Sequence, residues 1–218
     1  MILKSIGMYD KELRIKDPLK NLNFITRCIT DLFEECLGTF KTNNCRQLNF
    51  ILGEYSHSRI DEENNGFYEV EVPFNKEVFL ELSEVEQKKI LAKTLIESML
   101  FVSELKNWDS FMIKQAYLKM KERNFKNEFY VFKNKRNMDQ SLLASVFCEY
   151  ELYAFFIWIE IRKNDKNKTL IKRELIHKTL PIEYEFSRLM KELKWINNNE
   201  IALYIDSHKE NYQSIIIR

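Results

Sequence analysis

The carboxylates of this sequence are concentrated between residues 54 and 86. That segment has ten acidic and two basic side chains, although the whole chain is nearly neutral with 34 Lys and Arg against 33 Asp and Glu. In a strand, Glu69 and Glu71 would project from one face about 6 to 7 Å apart, a spacing compatible with two-carboxylate acid–base catalysis. Alternating acidic residues are also common on the solvent side of a sheet. We therefore favour an acidic surface that attracts a basic protein.

The predicted partner-binding residues lie in and just after the polar segment EYSHSRIDEENN, residues 54 to 65. We interpret this segment as a long loop, a type of connection that often carries binding or catalytic residues. The favoured function is a non-enzymatic cytoplasmic protein-interaction domain, for example an immunity protein that neutralises a basic toxin or nuclease. The residues predicted to bind the partner are Glu54, Asp61, Glu62, Glu63, Glu69 and Glu71.

Two other functions stay open. The first is an enzyme whose residues converge only in the fold, with His57, Asp61 and Glu54 as contributors. The second, ranked lower, is nucleic-acid binding through the basic segment 114 to 136, whose net charge is +6 and whose aromatic residues could stack on bases. Its basic and aromatic residues are Lys119, Lys121, Arg123, Lys126, Lys133, Lys135, Arg136, Tyr117, Phe125 and Tyr130.

Several kinds of site lack their sequence signature. With four glycines in 218 residues, no glycine-rich phosphate loop is present, and such loops need glycine for close approach of backbone amides to phosphate. The three histidines form no metal-binding pair, and the four cysteines form no C-x-x-C motif. We therefore predict no cofactor and no metal, and we assign no catalytic residue.

No segment predicts a membrane partner. The N-terminal apolar run is too short for a signal peptide. The longest uninterrupted apolar segment, residues 152 to 159, is far below the roughly 20 residues that a spanning helix needs. The sequence therefore predicts a cytoplasmic protein with reduced thiols.

Four helices are predicted from their caps and apolar periodicity. One begins at Asp17-Pro18 and ends at Gly38, with Cys28 and Cys36 on its apolar face. A second begins at the capping box of Ser83 and Glu86. A third follows a break at residues 107 to 109, and a fourth runs from Pro181 to the asparagines at 197 to 199.

The aromatic run SLLASVFCEYELYAFFIWIEIRK, residues 141 to 163, is predicted as the central bent strand of a sheet. Its polar residues switch from odd-numbered to even-numbered positions near Tyr153 to Phe156. Such a switch indicates a bulge or a break in the strand. Since 23 extended residues would span about 75 Å, the run must bend or form two strands.

The order of helices and strands is not the repeated alternation of a parallel α/β sheet. It predicts an α+β fold with a mainly antiparallel, bent sheet and about four helices packed on it. Residues 201 to 205 and 212 to 217 are expected to pair as two of its strands. We predict one globular domain over residues 1 to 218, with a soft boundary near residues 133 to 140 as the alternative.

Overall fold

A computed structural model describes residues 1–12, 17–205 and 211–217. Its helices and strands confirm the α+β class. The chain divides into two compact units, Met1–Asn127 and Glu128–Arg218. This division lies upstream of the soft boundary predicted near residues 133 to 140, and a single domain stays a prediction. One of the three histidines considered above as metal ligands, His208, lies outside the described residues.

The first unit contains a mixed four-stranded sheet. Its strands are β1 Ser5–Asp10, β2 Gln47–Gly53, β3 Arg59–Asn64 and β4 Phe67–Pro73, in the order β1-β2-β4-β3. Strands β1, β2 and β4 are parallel, and β3 is antiparallel to β4. The parallel centre differs from the antiparallel sheet that the sequence predicts, because the helices between β1 and β2 form a crossover long enough to return the chain in the same direction.

The helices of the first unit are α1 Leu22–Ile25, α2 Arg27–Leu37, α3 Lys76–Leu80, α4 Glu84–Lys106 and α5 Ser110–Glu122. The capping box that begins α4 is confirmed, with both reciprocal hydrogen bonds between Ser83 and Glu86. The left-handed Asn107 ends α4, and the Asp109 side chain caps α5. The single helix predicted from Asp17 is instead a short 3-10 turn followed by α1 and α2, and α2 ends at Gly38 as expected.

The core of this unit lies between one sheet face and the helices. That face buries alternate residues of the three parallel strands, and Cys28 and Cys36 of α2 are buried core residues, as predicted. The buried strand residues are Ile6, Met8, Leu48, Phe50, Leu52, Tyr68, Val70 and Val72. Alternation leaves the residues between them, including Glu69 and Glu71, on the outward face.

Helix side chains form hydrogen bonds with backbone N–H and C=O groups on the unpaired edge of β1. The backbone N–H of Ile6 donates to Glu34, and that of Asp10 donates to Asn23. The hydroxyl of Thr26 donates to the carbonyl of Met8. Such covering protects a strand edge from pairing with another chain. The opposite edge of the sheet is β3, which is mostly exposed.

The second unit is antiparallel. Its strands are β5 Asn127–Tyr130, which begins at the boundary, β6 Lys135–Arg136, β7 Leu142–Tyr150, β8 Phe155–Lys163, β9 Leu170–Thr179, β10 Glu192–Asn197, β11 Glu200–Tyr204 and β12 Tyr212–Ile216, with α6 Glu183–Ser187. One sheet has the order β5-β7-β8-β9 with β6 also paired to β7, and a second has the order β10-β11-β12. The predicted pairing of residues 201 to 205 with 212 to 217 is confirmed within the described residues.

The run of residues 141 to 163 forms a hairpin instead of one bent strand. Strands β7 and β8 pair from Leu142 opposite Lys163 to Tyr150 opposite Phe155. The switch from odd-numbered to even-numbered polar positions therefore marks the turn between two strands. Folding the run back buries Tyr150 and Phe155 together, and Phe155 stacks on Phe186 with ring centroids 3.7 Å apart.

The helix predicted to begin at Pro181 is wrong beyond Ser187. Leu193 and Trp195 lie in β10, where they are buried opposite Leu203 and Ile201 of β11. The apolar residues fit both a helical and an alternating period, and pairing with β11 decides for the strand. Among the described residues, no helix is both long and apolar enough to span a bilayer.

Candidate functional site

Half of the polar segment predicted as a loop is a strand. Residues Arg59–Asn64 form β3, which pairs with β4. The two residues that connect them, Asn65 and Gly66, both have positive φ, at 45° and 89°. A two-residue Asn-Gly connection with this geometry is the preferred type I′ hairpin turn. The Asn-Gly pair in the sequence was the signal that could have identified this strand.

Pairing of β3 with β4 brings several of the predicted partner-binding residues together. Glu62 lies opposite Glu69, and Arg59 lies opposite Glu71, with Asp61 at a bulge in β3. The Arg59 guanidinium forms an ion pair with Glu71 and lies 3.5 Å from the Asp61 carboxylate. We call the outward surface formed by Asp61, Glu62 and Glu69 the acidic face.

Among the described residues, no basic side chain forms a salt bridge with Glu62 or Glu69. Cross-strand residues lie about 5 Å apart between Cβ atoms, and like charges in this position repel. The pKa of Glu69 is raised, first by burial and then by the negative charges of Glu62 and Asp61.

Glu63 is instead held by neighbours within its own unit. Its carboxylate pairs with the Lys106 ammonium and accepts hydrogen bonds from the Tyr68 hydroxyl at 2.7 Å and the Asn44 amide at 3.1 Å. The hydrogen bond from Lys106, followed by that from Tyr68, lowers the pKa of Glu63. This carboxylate joins β3 to the end of α4.

The remaining predicted residue, Glu54, is exposed directly after the last residue of β2. In the described structure it forms no hydrogen bond or ion pair with the other five. The acidic face therefore contains three of the six predicted residues. Arg59 pairs with Glu71 and also contacts Asp61 of that face, and Lys106 pairs with Glu63.

In the described structure, residues 54 to 65 do not form the group of catalytic side chains that the enzyme alternative requires. The His57 ring contacts the Ser56 hydroxyl at 2.9 Å, and both residues are exposed. Asp61 contacts Arg59 instead. Within the described ranges, His57, Asp61 and Glu54 are not joined by hydrogen bonds, and no group of three or more His, Cys, Asp or Glu is arranged to hold a metal ion.

The basic segment 114 to 136 is divided between the two units. In the first, the Lys119 ammonium donates to the Cys36 carbonyl at 3.2 Å, and Arg123 pairs with Glu35 at 2.9 Å. Through these contacts the two residues join α5 to the end of α2. Cations near the last carbonyls of a helix also stabilise that helix. Lys133, Lys135 and Arg136 belong to the second unit.

Sequence reasoning missed a buried carboxylate in the second unit. Glu160 of β8 is fully buried, with 0% of its surface exposed. One carboxylate oxygen accepts from Arg173 Nε at 2.7 Å, and the other accepts from Arg162 Nη2 and the Tyr130 hydroxyl, both at 2.9 Å. Burial raises the pKa of Glu160, but these hydrogen bonds outweigh it and the net pKa is lowered. The alternation of Glu160 and Arg162 was the available signal.

Comparison with known proteins finds no match among protein-family models, curated proteins or solved structures.

Proposed function

We propose that this chain is a non-enzymatic, cytoplasmic protein-interaction domain that binds a basic protein through the acidic face of β3 and β4. The observation that carries the proposal is the pair Glu62 and Glu69, two carboxylates opposite each other on adjacent strands without a cationic partner in the described structure. Their repulsion in the free protein would be relieved by a Lys or Arg side chain of the partner.

The exposed position of β3 supports the same proposal. An edge strand offers backbone N–H and C=O groups to another strand, and charged side chains restrict which strands can approach. The sequence RIDEEN repels a second acidic edge and favours a basic one. The unit covers its other edge with Glu34, Asn23 and Thr26, whereas β3 lies at the sheet border.

A concrete member of this class is an immunity protein that covers the phosphate-binding surface of a basic toxin or nuclease. The surface of a nuclease that binds nucleic acid must be positively charged. An acidic face of this kind would compete for that surface and accelerate association by electrostatic attraction.

Charge reversal tests the proposal. Immobilised wild-type chain and the double variant Glu62→Lys/Glu69→Lys are exposed to lysate of the native cell at low salt, and retained proteins are identified by mass spectrometry. We expect the wild type to retain a basic protein that the variant loses, because each substitution changes attraction into repulsion.

The matched control is Glu104→Lys/Glu122→Lys, which makes the same change in net charge at exposed positions on α4 and α5. It should retain the same protein as the wild type. Equal retention by all three chains would reject the acidic face as the binding surface. Loss in both double variants would show that net charge, and not this face, controls binding.

A further inference from the structure

The outward face of the β5-β7-β8-β9 sheet combines aromatic and basic side chains. Phe147 of β7 lies opposite Trp158 of β8, and Glu160 lies opposite Arg173 of β9. The alternate residues of β8, Ile157, Ile159 and Ile161, are fully buried on the other face. We call the outward surface the aromatic face; its rings are Tyr130, Phe147, Phe156 and Trp158.

Cations lie over three of these rings. The Arg173 guanidinium is 4.4 Å from the centroid of the Phe147 ring. The Lys178 ammonium is 5.3 Å from the Phe156 ring, and the Lys133 ammonium is 5.9 Å from the Tyr130 ring. Each contact lies within the range of a cation–π interaction. The cations are therefore held close to the sheet surface.

Glu160 fixes the orientation of the two guanidinium groups. Arg173 directs both Nε and Nη2 to one carboxylate oxygen, and Arg162 directs Nε and Nη2 to the other. The side chains of Arg173 and Arg162 remain 36% and 31% exposed. Because one buried carboxylate holds two cations, the cluster keeps a net positive charge that solvent or a ligand can reach.

The indole of Trp158 is also oriented by a carboxylate. Its Nε1–H donates to Glu149 at 2.9 Å, and the residue is only partly buried. Glu149 and Glu160 thus each position other side chains of this surface. The last residue of β8 and the loop after it add three exposed lysines, Lys163, Lys166 and Lys168.

We propose that the aromatic face binds single-stranded nucleic acid, with bases stacked on the partly exposed side chains of Trp158 and Arg173 and phosphates bound by Arg162, Lys178 and Lys133. Bases of single strands stack on aromatic rings and on guanidinium planes in proteins. A basic surface lined with such planes attracts the phosphate backbone without requiring a particular sequence. The aromatic face is formed by residues of the second unit and the acidic face by residues of the first, and this proposal does not depend on the proposed protein partner.

The test uses the full chain and fluorescein-labelled oligo(U) and oligo(dT) of about 12 nucleotides, a length within the range of single-strand sites. We expect binding, measured by fluorescence anisotropy, that weakens steeply as salt rises from about 50 to 200 mM. Trp158→Ala should weaken it about 5- to 100-fold, as loss of one stacked base does. Trp158→Phe, which keeps a ring, should restore most of it.

Two control variants separate this surface from general effects. Tyr184→Ala removes an aromatic ring of α6 that is 71% exposed, and Lys191→Glu reverses an exposed charge before β10. Neither should change affinity by more than about twofold, whereas Lys178→Glu should weaken it about tenfold or more because it places a carboxylate beside the phosphates. Lys178 is exposed, so this variant tests the surface even if Trp158→Ala fails to fold.

Absence of binding at low salt overturns the proposal, as does binding that Trp158→Ala and Lys178→Glu leave unchanged. A polyglutamate peptide of equal length serves as the competing ligand. If it binds as tightly as oligo(U) and shows the same loss in Trp158→Ala, the surface recognises acidic protein and the nucleic-acid proposal is rejected.

Discussion

Glu69 in the first unit and Glu160 in the second both lie on the outward face of a sheet, yet their surroundings shift their pKa values in opposite directions. Glu69 lies opposite Glu62, and its pKa is raised by burial and by nearby carboxylates. Glu160 is more deeply buried, but Arg162, Arg173 and Tyr130 hold its charged form, and its pKa is lowered. The cross-strand neighbours therefore decide whether the charged form of a carboxylate is stabilised or destabilised.

The contrast extends to the two surfaces. On the acidic face, Glu62 and Glu69 form no salt bridge with a described residue, and we propose that a partner supplies their cation. On the aromatic face, the carboxylates of Glu149 and Glu160 orient an indole and two guanidinium groups. A residue that is already satisfied contributes to structure, whereas an unsatisfied charge costs free energy until a ligand binds.

The largest expected effect is at Glu160. Glu160→Gln removes the charge that balances Arg162 and Arg173, and breaking a buried ion pair by changing one partner is strongly destabilising. Both arginines are about one-third exposed, so the cost should lie near or below the lower end of the range for breaking a buried ion pair. We expect the free energy of unfolding to fall by about 2 to 3 kcal/mol. Urea denaturation measures it.

The control for that variant is Glu174→Gln on β9, where the carboxylate pairs with Lys172 at 2.7 Å but is 45% exposed. It should cost less than about 1 kcal/mol. Equal losses of stability in Glu160→Gln and Glu174→Gln would show that the buried ion pairs are no stronger than the exposed one.

The contribution of Glu160 to stability should also depend on pH. Since the folded-state pKa of Glu160 is lowered, its stabilisation is present above the unfolded pKa, about 4.3, and is lost as pH falls through the folded value.

A smaller loss is expected at Glu63. Glu63→Gln weakens the bonds with Lys106, Tyr68 and Asn44, but this carboxylate is 38% exposed and is screened by solvent. We expect a decrease of about 0.5 to 1 kcal/mol in the free energy of unfolding, measured by urea denaturation. Glu104→Gln, at an exposed position of α4, should leave it unchanged; a similar decrease there would remove the structural role assigned to Glu63.

The smallest change in the free energy of unfolding is expected at Glu69, and there the substitution should stabilise the chain. Glu69→Gln removes repulsion from Glu62 and should stabilise the chain by about 0.5 kcal/mol at neutral pH. Because folding raises the pKa of Glu69, wild-type stability falls as pH rises from the unfolded to the folded pKa. The advantage of the variant should therefore disappear at about pH 3, where both states are protonated.

Thermal unfolding of wild type and Glu69→Gln over this pH range measures the difference. A destabilising effect of Glu69→Gln at neutral pH would mean that its carboxylate is paired, and the acidic face would lose its main support. The side-chain carboxyl signals of Glu69 and Glu63 in carbon NMR should titrate above and below the ordinary glutamate range.

Local sequence was sufficient to predict a helix start or end when one short segment contains all the residues that define it. The Ser83 and Glu86 capping box, the Asp109 cap and the end of α2 at Gly38 all lie within a few residues of the element they define. The α+β class followed from the order of such elements. The acidic composition of residues 54 to 86 also indicated a surface, although not its geometry.

Other assignments depended on pairing that local sequence does not contain. Periodicity fitted Leu193 to a helix, but pairing of β10 with β11 placed it in a strand. The run at residues 141 to 163 could have been one bent strand or two, and the pairing of β7 with β8 decided for a hairpin. In each case, contacts with a second strand outweighed local preference.

The sequence by itself determined the start of α4, the cap of α5, the end of α2 and the segregation of charge, because these depend on backbone preferences and composition over a few residues. Only the tertiary structure decided which carboxylates are satisfied. Glu62 and Glu69 meet through a hairpin, and Glu160 meets Tyr130 and Arg173 across strands. The free energy of a charge depends on its neighbours in space, and strand register places those neighbours.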